Sequence, residues 1–184
     1  MKLLMLFVDK FEDTEALATL DTLKRGGFEV VTASLMGRKE IYPKYTNMVV
    51  GDALIEEINY KEFDGLVIPG GPGSFQIMPD IPKVEELIRY FADHNKLVAS
   101  ICAAPHLVGK LGYFVNKNYT VHPGFENYCV GGNYIRSEGV MRDGNFITAK
   151  SMYYSIKFAL EIDKYFNGEN HAKQLKESLQ GEGK

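Results

Sequence analysis

Tryptophan is absent from this chain of 184 residues, and only two cysteines, Cys102 and Cys129, occur in it. Two cysteines make no disulfide framework, so the expected setting is reducing and cytoplasmic. Histidine is scarce as well. His94, His106, His122 and His171 offer no pair at metal-ligand spacing, so no metal is expected. Basic charge is not in excess: 21 Lys and Arg against 24 Asp and Glu give a net charge of -3. Without a basic stripe, nucleic acid is not an expected partner. Long apolar runs are missing too. The segment Leu3-Leu4-Met5-Leu6-Phe7-Val8 is closed by Asp9-Lys10. It is too short for a membrane span and no small-residue cleavage site follows it, so it reads as a buried first strand and no membrane is expected as a partner.

What is present is an ordinary globular composition, 45% hydrophobic and 24% charged. The length fits one domain, 1–184, able to bury roughly 70% of its unfolded surface. Short apolar runs alternate with amphipathic segments. Leu3 to Val8, Phe28 to Leu35, Gly65 to Ile68 and Lys96 to Ile101 read as strands. Helical spacing appears after Asp13, a candidate N-cap, up to Gly26-Gly27, and again from Pro82, from Ala103 to Leu111, from Tyr153 to Phe166 and from Ala172 to Leu179. Asn118 to His122 reads as a short strand and Gln180 to Lys184 as a frayed tail. Gly139 to Ala149 resembles a hairpin turning at Asp143-Gly144. Doubly buried strands separated by helices imply an α/β, flavodoxin-like fold. Its mostly parallel sheet is sandwiched by helices and carries a small β-hairpin embellishment.

In open parallel sheets, ligands bind outside the carboxyl ends of the strands, and three such ends carry unusual residues. In Ser100-Ile101-Cys102-Ala103-Ala104-Pro105 a strand delivers Cys102 to a turn at a helix start, where partial positive charge favours a thiolate. A buried structural cysteine fits that spacing equally well. In Pro69-Gly70-Gly71-Pro72-Gly73 adjacent glycines can aim N–H groups at a ligand and, with the N–H of Ala103, form an oxyanion hole. A plain tight turn fits equally. In Phe11-Glu12-Asp13-Thr14-Glu15 three acids suit a solvated helix start. If Glu15 leans towards the strand ends instead, a protonated Glu15 can donate a hydrogen bond to a Cys102 thiolate, and the two titrate as a unit. His122, ending Tyr119-Thr120-Val121-His122, could polarise the thiol or carry protons. His106 is expected to pack, His94 and His171 to lie at the surface, and Cys129 to be incidental.

These motifs together resemble the ThiJ/PfpI superfamily, and most closely its parkinsonism-associated deglycase (DJ-one) branch, through nearly the whole chain. The carriers are Glu15 in FEDTE, Gly70-Gly71 in VIPGGPGS, Cys102 in SICAAP and His122 in TVHP, with weaker support from GGNY and RDGNFITA. The resemblance implies a nucleophilic, oxidation-sensitive Cys102, a protonated Glu15 partner, oxyanion N–H groups at Gly71 and Ala103, a homodimer and no cofactor. Two departures bear on substrate range. Lys150-Ser151-Met152-Tyr153-Tyr154 stands where relatives have a Gly-Pro-Gly turn, and Asn47 stands where they carry a dimer-surface arginine. Ala103 occupies the place of the histidine of the PfpI-type peptidases, which sets peptidase chemistry aside. The Gly-x-Cys-x-Gly of the glutamine amidotransferases is also missing.

The function expected is a cofactor-independent, cysteine-dependent glyoxalase or deglycase acting on a small carbonyl substrate of the methylglyoxal type. The alternative is a redox sensor or stress-response chaperone using Cys102 oxidation without turnover. A flavin-binding module is weaker, since no phosphate-cradling helix start and no stacking tryptophan are present.

Overall fold

The computed structural model describes residues 1–182. The short apolar runs fall within a seven-stranded sheet: β1 Lys2–Phe7, β2 Glu29–Ser34, β3 Ala53–Leu54, β4 Gly65–Ile68, β5 Leu97–Ile101, β6 Val140–Asp143 and β7 Phe146–Ala149. Their order across the sheet is β6-β7-β5-β4-β1-β2-β3. Every neighbouring pair is parallel except β6 and β7. Apart from Lys2, all residues of β1, β4 and β5 are buried, which is why these strands lack polar alternation. Each large side chain so buried in β1, such as Leu4 or Phe7, contributes about 1.5–3 kcal/mol relative to exposure.

Helices flank the sheet: α1 Asp13–Arg25, α2 Pro72–Gln76, α3 Pro82–Asp93, α4 Pro105–Gly109, α5 Ser155–Asn167 and α6 Glu169–Leu179. α1 packs on α5, α5 on α6, and α3 on β4 and β5. In α3, Val84, Leu87, Ile88 and Phe91 form the buried face, as their spacing predicts.

The hairpin forms at Asp143-Gly144, with Gly144 at φ 62°. Its second strand, β7, pairs parallel with β5, so the hairpin completes the sheet edge instead of decorating it. A separate antiparallel pair, Glu40–Ile41 with Val49–Val50, has no signal in the sequence reading. Asn118–Tyr119 pairs parallel with Asn133–Tyr134, a strand shorter than expected. Asp13 is not the N-cap of α1: Glu12 is, and Asp13 is the first helical residue. The Asp13 carboxylate instead accepts hydrogen bonds from the backbone of Tyr45 (3.1 Å) and Thr46 (2.8 Å), tying a distant loop to the start of α1. Gln180 to Glu182 follow α6 as a turn, and the last two residues of the expected tail lie outside the described residues.

β1 lies between β2 and β4, so the chain leaves it to one side and returns on the other. That reversal opens a crevice at the carboxyl ends of β1 and β4. The three segments marked by the sequence all end there, with β5 alongside.

Candidate active site

Cys102 follows β5 directly and has φ 63°, a left-handed conformation rare for a residue with a Cβ. Such a conformation costs on the order of 1–3 kcal/mol and needs neighbours that hold it. They are present. The Cys102 N–H donates to the Ala149 carbonyl (2.8 Å), and its carbonyl accepts from the His122 N–H (2.8 Å). Thus β7 and the segment after Tyr119 clamp the turn from both sides, and the side chain is thrust out at the sheet end. α4 begins only at Pro105 and spans five residues, a correction to the helix expected at Ala103. The groups aimed at the sulfur are therefore not a helix end but two loop N–H donors, those of Gly71 and Ala103.

The glycine loop is built for this approach. A Cβ on Gly70 would stand 2.6 Å from the Cys102 Cβ and 2.6 Å from Glu15 Oε2. Gly71, at φ 89°, would drive a Cβ into the backbone N of Glu12. The plain-turn alternative accounts for neither contact. The loop also binds the acid: the Gly70 N–H donates to Glu15 Oε2 at 3.0 Å. Glu15 in the first turn of α1 is buried, and its carboxyl hydrogen-bonds the Cys102 thiol.

Burial raises Glu15 from 4.5 to about 7, against the lowering effect of its hydrogen bonds from Cys102 and Gly70; the nearby Glu12 charge adds to the rise. Burial also raises the Cys102 thiol, reinforced by the Glu15 charge and hydrogen bond, while the Gly71 and Ala103 N–H groups pull it down. The expectation of a low-pKa resting thiolate is corrected by this direction. Two buried acids in contact cannot both ionise cheaply, so they titrate as a pair. The first proton leaves at about 7, and the second is retained by the pair. A thiolate exists here only while Glu15 carries that proton.

The crevice is a cavity of about 370 Å³ lined by Cys102, Glu15, Gly71, Ala103 and His122. Each of these was marked from the sequence, and Gly70 lies immediately behind them. The His122 ring is exposed at the cavity, with Nδ1 3.0 Å from the Pro123 carbonyl oxygen. His106 is buried, its Nδ1 2.7 Å from the Ala103 carbonyl oxygen, and its ring packs against Phe125 and Tyr128. His171 is exposed, as expected, and its Nδ1 lies 2.8 Å from the wholly buried Asp163 carboxylate. Cys129 is buried 3.9 Å from the Pro105 carbonyl oxygen and does not line the cavity.

Sequence reasoning missed the remaining walls. Lys44, Glu12 and Phe125 reach the cavity from loops and Phe75 from the five-residue α2, with no periodicity to mark them. Lys44 lies 3.8 Å from Glu12, whose own carboxyl burial holds above its usual range. Asn47 is exposed and lies outside the cavity, so Lys44 is the cation near the thiol. Ser151 and Met152 do line the cavity, within the segment that departs from the Gly-Pro-Gly turn. Among the described residues no group of three or more His, Cys, Asp or Glu side chains is placed to hold a metal ion. No helix there is long and apolar enough to cross a membrane.

Comparison with known proteins identifies the family and the fold. The family model described as the DJ-1/PfpI family matches residues 1–164. The protein dj-1beta of Drosophila melanogaster is 28% identical over 169 residues, covering 91% of this chain and 90% of that protein. A protein named deglycase from Pyrococcus abyssi is 34% identical over 152 residues, covering 82% and 90%. The crystal structure of Drosophila melanogaster DJ-1beta superposes with a TM-score of 0.90 at 27% identity, covering 97% of each chain. A structure titled Toxoplasma gondii DJ-1, oxidized, gives 0.84 at 25% identity, again covering 97% of each. With the match running over residues 1–164, which include Glu15, Gly70-Gly71 and Cys102, this chain belongs to the DJ-1/PfpI family.

Proposed function

We propose that the chain is a cofactor-independent, cysteine-dependent enzyme that converts 2-oxoaldehydes of the methylglyoxal type, or their adducts, to 2-hydroxy acids. The observation that carries this reading is the Cys102–Glu15 pair, one proton shared between a thiol and a carboxyl beneath an open cavity. In its reactive form the proton sits on Glu15. The Cys102 sulfur adds to the aldehyde carbon, and the carbonyl oxygen takes the proton from Glu15, giving a hemithioacetal. The Gly71 and Ala103 N–H groups stabilise the developing oxyanion, an effect of about 3 kcal/mol per well-placed donor. Glu15, now a carboxylate, removes the hydrogen of that carbon and returns it to the neighbouring ketone carbon. The product is a thioester of the 2-hydroxy acid, and water hydrolyses it to free the thiol. One substrate carbon is oxidised as its neighbour is reduced, so no external electron carrier is required. An amine adduct would follow the same path with the amine as leaving group. His122 assists proton exchange at the cavity mouth. The family relatives named deglycase support this class of chemistry.

The test is direct. Purified protein converts methylglyoxal to lactate, followed by product chromatography, while Cys102→Ser and Glu15→Gln do not. Equal rates in wild type and Cys102→Ser remove the proposal.

A second reading has its own support. Cys102 is partly accessible in the cavity, whereas Cys129 is buried. Peroxide would oxidise the Cys102 thiolate to sulfenate, and a second peroxide would oxidise it to sulfinate, with water as the by-product. A protonated Glu15 would hydrogen-bond the sulfinate. Mass spectrometry after mild peroxide should find two added oxygens on Cys102 alone; equal uptake at Cys129 counts against sensing. We propose a homodimer as well, supported by exposed Tyr42, Tyr45, Met48 and Val50 along one hairpin. A monomer by sedimentation equilibrium removes it.

A further inference from the structure

The cavity is larger and less polar than methylglyoxal requires. At about 370 Å³ it falls in the range of sites for ligands well beyond a few atoms, roughly 300–1,000 Å³. Its polar groups are unevenly placed. The thiol, the Glu15 carboxyl and the loop N–H groups belong to the reacting centre, and among the described residues the other Lys, Arg, Asp or Glu side chains lining it are the Glu12–Lys44 pair. Apart from His122 and Ser151, the rest of the wall is apolar: Pro72, Phe75, Phe125 and Met152.

Two of these rings form a unit. Phe75 and Phe125 lie 5.1 Å apart between centroids, tilted by 51°. Phe125 also stands edge-to-face with the His122 ring at 6.2 Å. That contact fixes it beside the residue whose N–H clamps the Cys102 carbonyl. Phe75 stays 39% exposed although it faces a cavity. A phenyl ring left half in water beside a reactive thiol gains from an apolar partner laid against it. Charge selects in the same direction. Lys44 already has Glu12 as counter-ion, so among the described residues a substrate carboxylate finds no unpaired Lys or Arg lining the cavity.

We infer that Phe75 and Phe125 form a substituent-binding wall that selects neutral, aryl-substituted 2-oxoaldehydes, of the phenylglyoxal type, over methyl-substituted or anionic ones. This rests on the proposed aldehyde chemistry at Cys102 but concerns the wall, and the wall can be read without turnover. In the bound pose the aldehyde carbon lies over the sulfur and the aryl ring lies against the Phe75–Phe125 pair.

The experiment has two arms, each run on wild type, Phe75→Ala and Phe125→Leu. The first measures kcat/KM for phenylglyoxal, methylglyoxal and the anionic 4-carboxyphenylglyoxal, all of which carry the ketone carbon that the reaction needs. The second measures alkylation of Cys102 by 2-chloroacetophenone and by chloroacetone, each rate divided by that of a small free thiol. In alkylation the sulfur–carbon bond forms as chloride leaves, so no proton relay or hydrolysis is involved. Wild type should favour the aryl over the methyl reagent by about tenfold in both arms, the scale of a good aromatic contact. Phe75→Ala and Phe125→Leu should bring that preference to within about twofold, mainly through KM in the first arm. 4-Carboxyphenylglyoxal should turn over more slowly than phenylglyoxal in wild type. Failure of all three aldehydes to turn over, with the alkylation preference intact, overturns the enzyme reading and leaves the wall standing. An alkylation ratio near unity in wild type, or one unchanged in both variants, overturns the wall. Phe75 is partly exposed, so Phe75→Ala keeps the test usable if Phe125→Leu folds poorly.

Discussion

The chain holds two cysteines, both with thiols raised by burial, in opposite surroundings. Around Cys129, burial holds the thiol at about 12, and the neighbours are a phenol, Tyr119, and a glycine, Gly109, packed against the sulfur. Around Cys102 stand a carboxyl that shares a proton with it, two N–H donors, a left-handed backbone and open space. The pair teaches that a raised thiol does not by itself distinguish inert from reactive. What distinguishes them is whether the proton has somewhere to go within contact distance. At Cys102 the Glu15 carboxyl is in hydrogen-bond contact and can take it; at Cys129 the hydrogen-bond partner is the Tyr119 phenol, and Glu126 acts only through its charge.

The largest expected effect breaks the comparison outright. Cys102→Ser should lower aldehyde turnover by on the order of 10³-fold or more, as losses of nucleophiles do, while Cys129→Ala should leave kcat/KM within about twofold. Equal losses in steady-state rates would mean that the cavity around Cys102 is not the reacting site.

Glu15→Gln tests the proton partner and should cost about 10²–10⁴-fold in kcat/KM. Its pH profile is the sharper readout. In wild type the pair loses its first proton at about 7, so kcat/KM should rise with pH through that value. In the variant the thiol titrates alone and burial keeps it high, so the rise should move upward. An unmoved inflection would assign it to another group. Stability should respond with the opposite sign. Glu15 is raised from 4.5 to about 7 in the fold, so between those values the native state binds more protons than the unfolded chain. Wild type therefore loses stability as pH rises across that window, by about 3 kcal/mol in all. Glu15→Gln lacks this loss, so urea midpoints of variant and wild type should diverge in the variant's favour from pH 4 to pH 8.

The sheet and the site were legible to different depths. β1, β4 and β5 announce themselves because strands buried on both faces carry unbroken apolar runs. The Pro69–Gly73 loop and the turn at Cys102 were legible because strand ends with adjacent glycines, or with a cysteine before small residues, are chemically unusual. The direction of the Cys102 shift was not, since it depends on burial depth and on contact with a carboxyl from another segment. Asp13 looked like a helix cap because local rules favour acids there; its real partners, Tyr45 and Thr46, come from more than thirty residues away. Lys44 and Phe75 were invisible for a related reason. Their segments are positioned by tertiary bonds such as Lys10 N–H to the Tyr42 carbonyl (2.7 Å) and Gly73 N–H to the Lys10 carbonyl (3.1 Å). Lys10 accepts that role at φ 61°, which no pattern in its neighbours foretells.

The two glycines beside the two sulfurs extend the comparison to smaller effects. Gly70→Ala would press a Cβ on both Cys102 and Glu15, and should lower turnover by about 10²-fold, the scale of losing one well-placed donor. Gly109→Ala presses its Cβ on the Cys129 sulfur instead, in a site without a cavity, and should spare kcat/KM. Its cost should fall on folding, about 1–3 kcal/mol for an overpacked core position. Cys129→Ala alone should cost about 1–2 kcal/mol for the buried volume it removes. Combined, the two should not add. The deleted sulfur gives back part of the space that the new methyl needs, although the Cys129 Cβ at 2.8 Å still crowds it. A double-mutant cycle on urea midpoints should therefore return a favourable coupling of about 1 kcal/mol. Strict additivity would show that the Gly109 methyl is refused by the Cys129 backbone and Cβ alone. In that case Cys129 would matter less to the core than its burial implies.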